Sequence, residues 1–536
     1  MKKRTVAISI ALAAVIAATP AVLGGCAGDH YTDIQFAAQD TSYVVTSQGG
    51  STVAYGNYVY FINGTRGYED TDGNANVWDE VVKGALYRAE LKGEKYTDVD
   101  GLTKFRTVAD GKGMEFKYTE GKDYFDEDID VVTVAKIAPK TIGTTGYSDG
   151  GIFIYDNYLY FATPNNEKNT TGDVQYTRTD YFMMPLSGGK PTKIYTSSED
   201  VDTTAAAYAF YKYGDYVYLV VNEDGTIVTV KVNPAKEDVD DPVAYEVDAT
   251  SVYFPVRDTY YNGISTDTPE DFIYFVRDVK DGESQRSGSI IEAMRPDGSE
   301  NFVVSMSGQT ETVEAVRDGM VFYRSEEVKN KVLKYTNLHD MLMVYSPSYK
   351  AAQDKLSATD KTKQINGTFP KNIDNSITST YAFRADKLSN TVYFVGVTSS
   401  SLVLYQNDES RPLIDTLCST TGTPLFIQNN YLYFSGSSSN FYRVPLFSNM
   451  EGYGTATQIA SETTSAGISC DYAAGYFTYF GKVDEWANGY TMFAKVDGLQ
   501  TIVDGVAEFS AQFVGLRASA DIPTDKQIEE AKGTTA

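Results

Sequence analysis

Histidine is almost missing. The chain of 536 residues holds only His30 and His339, three cysteines and two tryptophans. Histidine-based nucleophile triads, histidine-rich zinc sites and histidine general bases therefore lack their side chains. His339, in Asn337-Leu338-His339-Asp340, reads as a surface or strand-end residue, and His30 lies near the amino terminus. Positive charge is scarce as well, and the net charge is −26. A field of that sign repels nucleic-acid phosphates, so nucleic acid is not an expected partner. The acidity itself reads as solubility outside the cytoplasm. No Gly-x-Gly-x-x-Gly leads from a strand into a helix and no Walker-type loop occurs, so no cofactor is expected.

The loop Asp70-Thr71-Asp72-Gly73-Asn74-Ala75-Asn76 alternates the oxygen ligands that calcium favours. The EF-hand pattern fails there, because its glycine would fall at Ala75 and its closing glutamate at Val81. It reads as a polar loop tip, and no metal site is expected. Cys418 and Cys470 both precede an aromatic hairpin. A disulfide joining them suits an exported protein, but the unequal spacing to their hairpins favours two separate buried thiols.

Tyrosine, by contrast, is abundant at 42 copies, with 44 glycines. Eight times a short strand, a tight turn and an aromatic strand recur. The aromatic anchors are Tyr60, Tyr160, Tyr218, Tyr274, Phe322, Tyr393, Tyr433 and Tyr479. Turn pairs such as Gly56-Asn57, Asp156-Asn157, Gly214-Asp215 and Asn429-Asn430 suit the positive φ of tight hairpins. Third strands follow, as in Ala85–Lys92, Tyr181–Ser187, Ile227–Asn233 and Phe441–Phe447, and several fourth strands, as at Thr192 and Thr457. Most repeat spacings lie near the ~40–50 residues of a four-stranded propeller blade. The pattern predicts an all-β fold: a β-propeller of four-stranded antiparallel blades over 48–520, with eight blades, or seven if the weak unit at Phe272 is an insertion. The insertions are placed near 93–149 and 329–371, and 521–536 is a polar tail. The alternating aromatics read as core between sheets, each buried ring contributing roughly 2–3 kcal/mol.

At the amino terminus, Lys2, Lys3 and Arg4 precede the apolar run Val6–Val22, and Leu23-Gly24-Gly25-Cys26 closes it. This resembles a bacterial lipoprotein signal with its lipobox. The resemblance implies cleavage of residues 1–25, lipidation of Cys26, a tether over 26–47 and residence on the outer face of the cell membrane. Two acyl chains would anchor the chain stably. Loss of the three leader cations would take the net charge from −26 to −29.

The aromatic strand carries a second resemblance. Tyr-Leu-Tyr-Phe followed by Leu-Tyr-Arg and a Gly or Asp-Gly turn is similar to the YWTD-type propellers of low-density-lipoprotein receptors. It is more similar still to bacterial lipoproteins of unknown function that carry such a propeller. The Asp of the motif is mostly missing, since Ile62-Asn63 follows Phe61 and Ala162-Thr163 follows Phe161. The resemblance implies a non-catalytic binding or scaffolding module for a protein, a peptide or a cell-envelope glycan. The alternative is a glycan-active hydrolase or lyase with acidic residues near the propeller axis, because paired acids need only converge in space. No catalytic residue is nominated.

Overall fold

A computed structural model describes the chain mainly over residues 151–165, 178–198, 208–253, 272–355 and 377–460, with short breaks. Outside these it describes the strands given below. Residues 1–25, Cys26, His30, the 70–76 loop and the 521–536 tail lie outside the described residues, as does the side chain of Cys470.

The protein is mostly β, and most of the described strands group into successive four-stranded antiparallel units. Unit 1 comprises Thr52–Tyr55, Tyr58–Ile62, Leu86–Lys92 and Asp128–Ala138. Unit 2 comprises Phe153–Tyr155, Tyr158–Pro164, Thr179–Pro185 and Thr192–Thr196. Unit 3 comprises Tyr208–Tyr213, Tyr216–Glu223, Thr226–Asn233 and Val243–Glu246. Unit 4 comprises Ala249–Tyr253, Ile273–Asp278, Ser287–Met294 and Phe302–Val304. Unit 5 comprises Thr310–Arg317, Met320–Glu327, Asn330–Asn337 and Gly367–Thr368. Units 6 and 7 run from Ser379 to Cys418 and from Gly422 to Ala460. Unit 8 comprises Thr464–Asp471, Tyr476–Phe480, Tyr490–Val496 and Phe509–Ala518.

Every predicted aromatic strand is the second strand of its unit, including the weak one at Phe272. Tyr60, Tyr160, Tyr274 and Tyr433 are fully buried. Tyr60, Tyr160 and Tyr274 belong to clusters that lie between units, whereas Tyr433 packs on Phe426 and Phe441 of its own unit. One apolar cluster spans units 1 and 2, another units 2 to 4, and further clusters join 4 to 5, 5 to 6 and 6 to 7. Period-2 alternation explains this, because a sheet with aromatics on both faces must be covered on both. The Asp156-Asn157 turn has φ of 49° and 66°, as a two-residue hairpin loop of matching twist demands.

Parallel contacts join units edge to edge, one of them the bridge between Cys418 of unit 6 and Gly454 of unit 7. Gly288 pairs with Glu311 between units 4 and 5. Gly515–Ala518 pairs with Val131–Val134, so the last unit meets the first. Successive four-stranded sheets packed face to face, with the two ends of the series joined, form a β-propeller.

Two insertion boundaries are corrected. The 93–149 stretch contains Asp128–Ala138, the fourth strand of unit 1, which pairs with Leu86–Ala89. The 329–371 stretch contains Asn330–Asn337, the third strand of unit 5, paired with Met320–Glu327. The inserted element proper begins after it. The partner of Asp128–Ala138 lies far away in sequence, whereas Asn330–Asn337 pairs with the strand just before it and is hidden by its lysines. Two short helices follow: α1, Leu338–Tyr345, and α2, Pro347–Gln353.

Candidate functional site

Strand direction divides the molecule into two ends. The two-residue hairpins and the third-to-fourth-strand turns gather at one, the turn end. The second-to-third-strand loops and the links between units gather at the other, the loop end.

At the loop end, charged side chains are buried in internal networks. The Asp180 carboxylate accepts from Asn165 Nδ2 at 3.1 Å on both oxygens and from Thr196 Oγ1 at 2.5 Å, with Lys193 Nζ at 3.1 Å. Glu223, in unit 3, accepts from the Tyr195 hydroxyl at 3.0 Å and from the Ser198 amide at 3.4 Å, both in unit 2. Burial pushes the Glu223 carboxyl up, against the pull of those donors and of Arg178. Burial, and then Glu223 itself, pushes the Tyr195 phenol up. In unit 4, Arg277 donates from Nε to Glu292 Oε1 at 2.5 Å and from its two terminal nitrogens to both oxygens of Glu283. The hydrogen bond from Arg277 holds the Glu283 carboxyl below its ordinary range.

At the turn end, one position recurs. Tyr55, Tyr155, Tyr213 and Tyr253 each close the first strand of their unit. Each reaches the following unit: Tyr55 donates to Asn157 Oδ1 at 3.2 Å, Tyr155 to the Phe210 carbonyl at 3.0 Å and Tyr253 to the Glu314 carbonyl at 3.4 Å. Tyr213 instead receives the Arg295 guanidinium over its ring at 5.3 Å. The same Arg295 lies 4.4 Å from the Phe272 ring and donates from Nε to Glu300 Oε2 at 2.9 Å. Glu300 also accepts from Ser346 Oγ at 2.8 Å, Ser348 Oγ at 2.5 Å and the Ser348 amide at 3.1 Å. Burial pushes its carboxyl up, but these donors prevail and hold it at about 2. The knot fastens the start of α2 to unit 4. It leaves Val344 and Tyr345, at the end of α1, 75% and 39% exposed.

The few residues nominated from sequence do not converge. His339 is corrected: it is buried in the first turn of α1, where its Nδ1 lies 3.0 Å from the Tyr349 hydroxyl. Asn337 caps that helix, its Oδ1 accepting from the His339 amide at 2.7 Å. Cys418 is a buried thiol whose Sγ donates to the Thr420 carbonyl at 3.2 Å. Burial pushes it up, which suits a core side chain rather than a nucleophile. Among the described residues, no group of three or more His, Cys, Asp or Glu could hold a metal ion. Sequence reasoning missed the row of turn-end tyrosines, although the phrases VAY, FIY, YKY and SVY before each turn carry the signal. Nothing in the sequence marks the Arg295–Glu300–Ser348 knot.

No protein-family model matches the chain, and no curated protein matches it. Solved structures are similar in outline. An uncharacterized protein of Listeria monocytogenes is 8% identical, covering 71% of this chain and 96% of its own, with a TM-score of 0.32. The Dos1 propeller is 10% identical, covering 82% and 92%, with a TM-score of 0.35. An oligogalacturonate lyase in complex with manganese is 12% identical, covering 74% and 94%, with a TM-score of 0.30. Scores this low carry no argument, and the fold rests on the strand pairing described above.

Proposed function

We propose that the protein is an eight-bladed propeller, lipid-anchored at Cys26 on the outer face of the membrane. It serves as a non-catalytic binding or scaffolding module for a protein, a peptide or a cell-envelope glycan. The observation that carries the non-catalytic reading is the state of the loop-end acids. Asp180, Glu223 and Glu292 are buried and each engages donors of the protein itself. A carboxylate so engaged stiffens the rim from which the loops spring, and ligand recognition falls to the loops. The anchor is supported by the leader of cations, apolar run and Leu23-Gly24-Gly25-Cys26. The YWTD-like character of the repeats is supported by the aromatic second strands and the Tyr-Arg pairs of the third strands.

One observation favours the alternative, a glycan-active hydrolase or lyase: the raised carboxyl of Glu223 is the property an acid catalyst needs. Incubating the purified full chain with a panel of envelope polysaccharides and peptides separates the two. Retention without new reducing ends is the expected result. New reducing ends that vanish in Glu223→Gln would establish the enzyme and end the binding-only reading. The anchor is tested by fractionation, in which Cys26→Ala should move the protein from the membrane to the soluble fraction.

A further inference from the structure

We infer that the turn end faces the membrane, with the Val344–Tyr345 tip of α1 resting on the lipid head groups, and that the loop end points away. This rests on the anchor at Cys26.

The tether itself supplies the direction. Ile34 and Gln35 pair antiparallel with Gly189 and Gly188. Those glycines form the turn between the third and fourth strands of unit 2, so the pairing lies at the turn end. Ile34 is only eight positions after Cys26. Fully extended, that stretch reaches at most about 29 Å, so an acylated Cys26 holds this end close to the bilayer.

The same end carries the apolar tip. Val344 and Tyr345 are adjacent, and among the described residues they are two of the three large hydrophobic residues that stand exposed. Topology puts them there, because α1 follows directly on the third strand of unit 5 and the Leu338 amide donates to the Gly319 carbonyl of that unit's hairpin turn at 2.8 Å. The Tyr345 ring stacks on Phe302 at 5.9 Å, which fixes it against the unit beneath. Tyrosine with an apolar neighbour suits the boundary between head groups and acyl chains. Asp340 and Lys350 on the helices, with Asp354 and Lys355 just after α2, cancel in formal charge, so the helix pair adds nothing to the repulsion that an acidic chain feels from anionic lipid.

The test uses the acylated full chain in vesicles containing brominated lipid. Val344→Trp places a fluorophore on the tip. Ser400→Trp places one on the exposed second-to-third-strand loop of unit 6, at the loop end. Emission from Trp78 and Trp486 in the parent gives the baseline. Loss of emission for Val344→Trp, with none for Ser400→Trp, is expected. Quenching of Ser400→Trp, or of neither, while the protein stays on the vesicles would overturn the orientation and leave the anchor standing. A Cys26→Ala chain that stays bound would overturn the anchor and this inference together. Circular dichroism of both variants confirms that the sheets are intact.

Discussion

The Tyr208 hydroxyl sits astride Gly151: it donates to the glycine carbonyl at 2.8 Å and accepts from its amide at 2.9 Å. One side chain of unit 3 thereby closes both backbone groups at the entry to unit 2. All the atoms involved are buried, so neither glycine group can turn to water instead.

Tyr208→Phe should therefore cost about 1–3 kcal/mol, the penalty of leaving buried backbone groups unmatched. Urea unfolding measures it. The ring remains, so its edge-to-face packing against Tyr181 and Phe210 persists and the loss isolates the hydroxyl.

Gly288→Ala should be worse than a surface glycine change. Gly288 has φ +93°, and an added Cβ would run into the backbone of Glu311. The strained conformation alone costs on the order of 1–3 kcal/mol. The collision falls on the parallel contact between units 4 and 5, so faster amide exchange at Glu311 should report its opening.

Glu300 sets an acid-side limit. Its carboxyl titrates at about 2 in the folded protein. The unfolded value is about 4.3, so its contribution is complete above that pH and is lost as pH falls toward 2. Thermal unfolding between pH 5 and 2 should show a steeper decline for the parent than for Glu300→Gln.

Glu223 gives the opposite sign. Its folded carboxyl is raised, so the folded state holds the proton more tightly than the unfolded chain. Stability from this group is full below the ordinary carboxylate range and declines as pH rises through the raised value. Glu223→Gln should remove that decline, since the amide oxygen still accepts from Tyr195. Melting curves from pH 4 to 8 should converge at the acid end and favour the variant at the neutral end.

The second strands were legible because most hold their aromatics in a contiguous phrase beside a turn pair that permits positive φ; the unit at Phe272, where a long connection replaces the turn, was the weak one. Asp128–Ala138 was not, because its alternation is masked by acids and its partners lie at Leu86 and at Gly515, far off in the chain. The loop-end networks were equally hidden. Glu223 and Tyr195 are 28 positions apart and belong to different units, so only the folded register makes them neighbours. His339 misled for a different reason: Asn337 starts a helix where a strand ends, and a two-residue transition leaves little periodicity to read.

The pairing of Gly515–Ala518 with Val131–Val134 also sets a timetable. Residues 509–518 leave the ribosome after the edge they cover, since Gly515 follows its partner Val131 by 384 positions. Until they emerge, that edge is an open template for any passing strand. A chain with this seam stays open to mispairing there until the closing strand arrives, so its maturation is timed by that strand rather than by the first units.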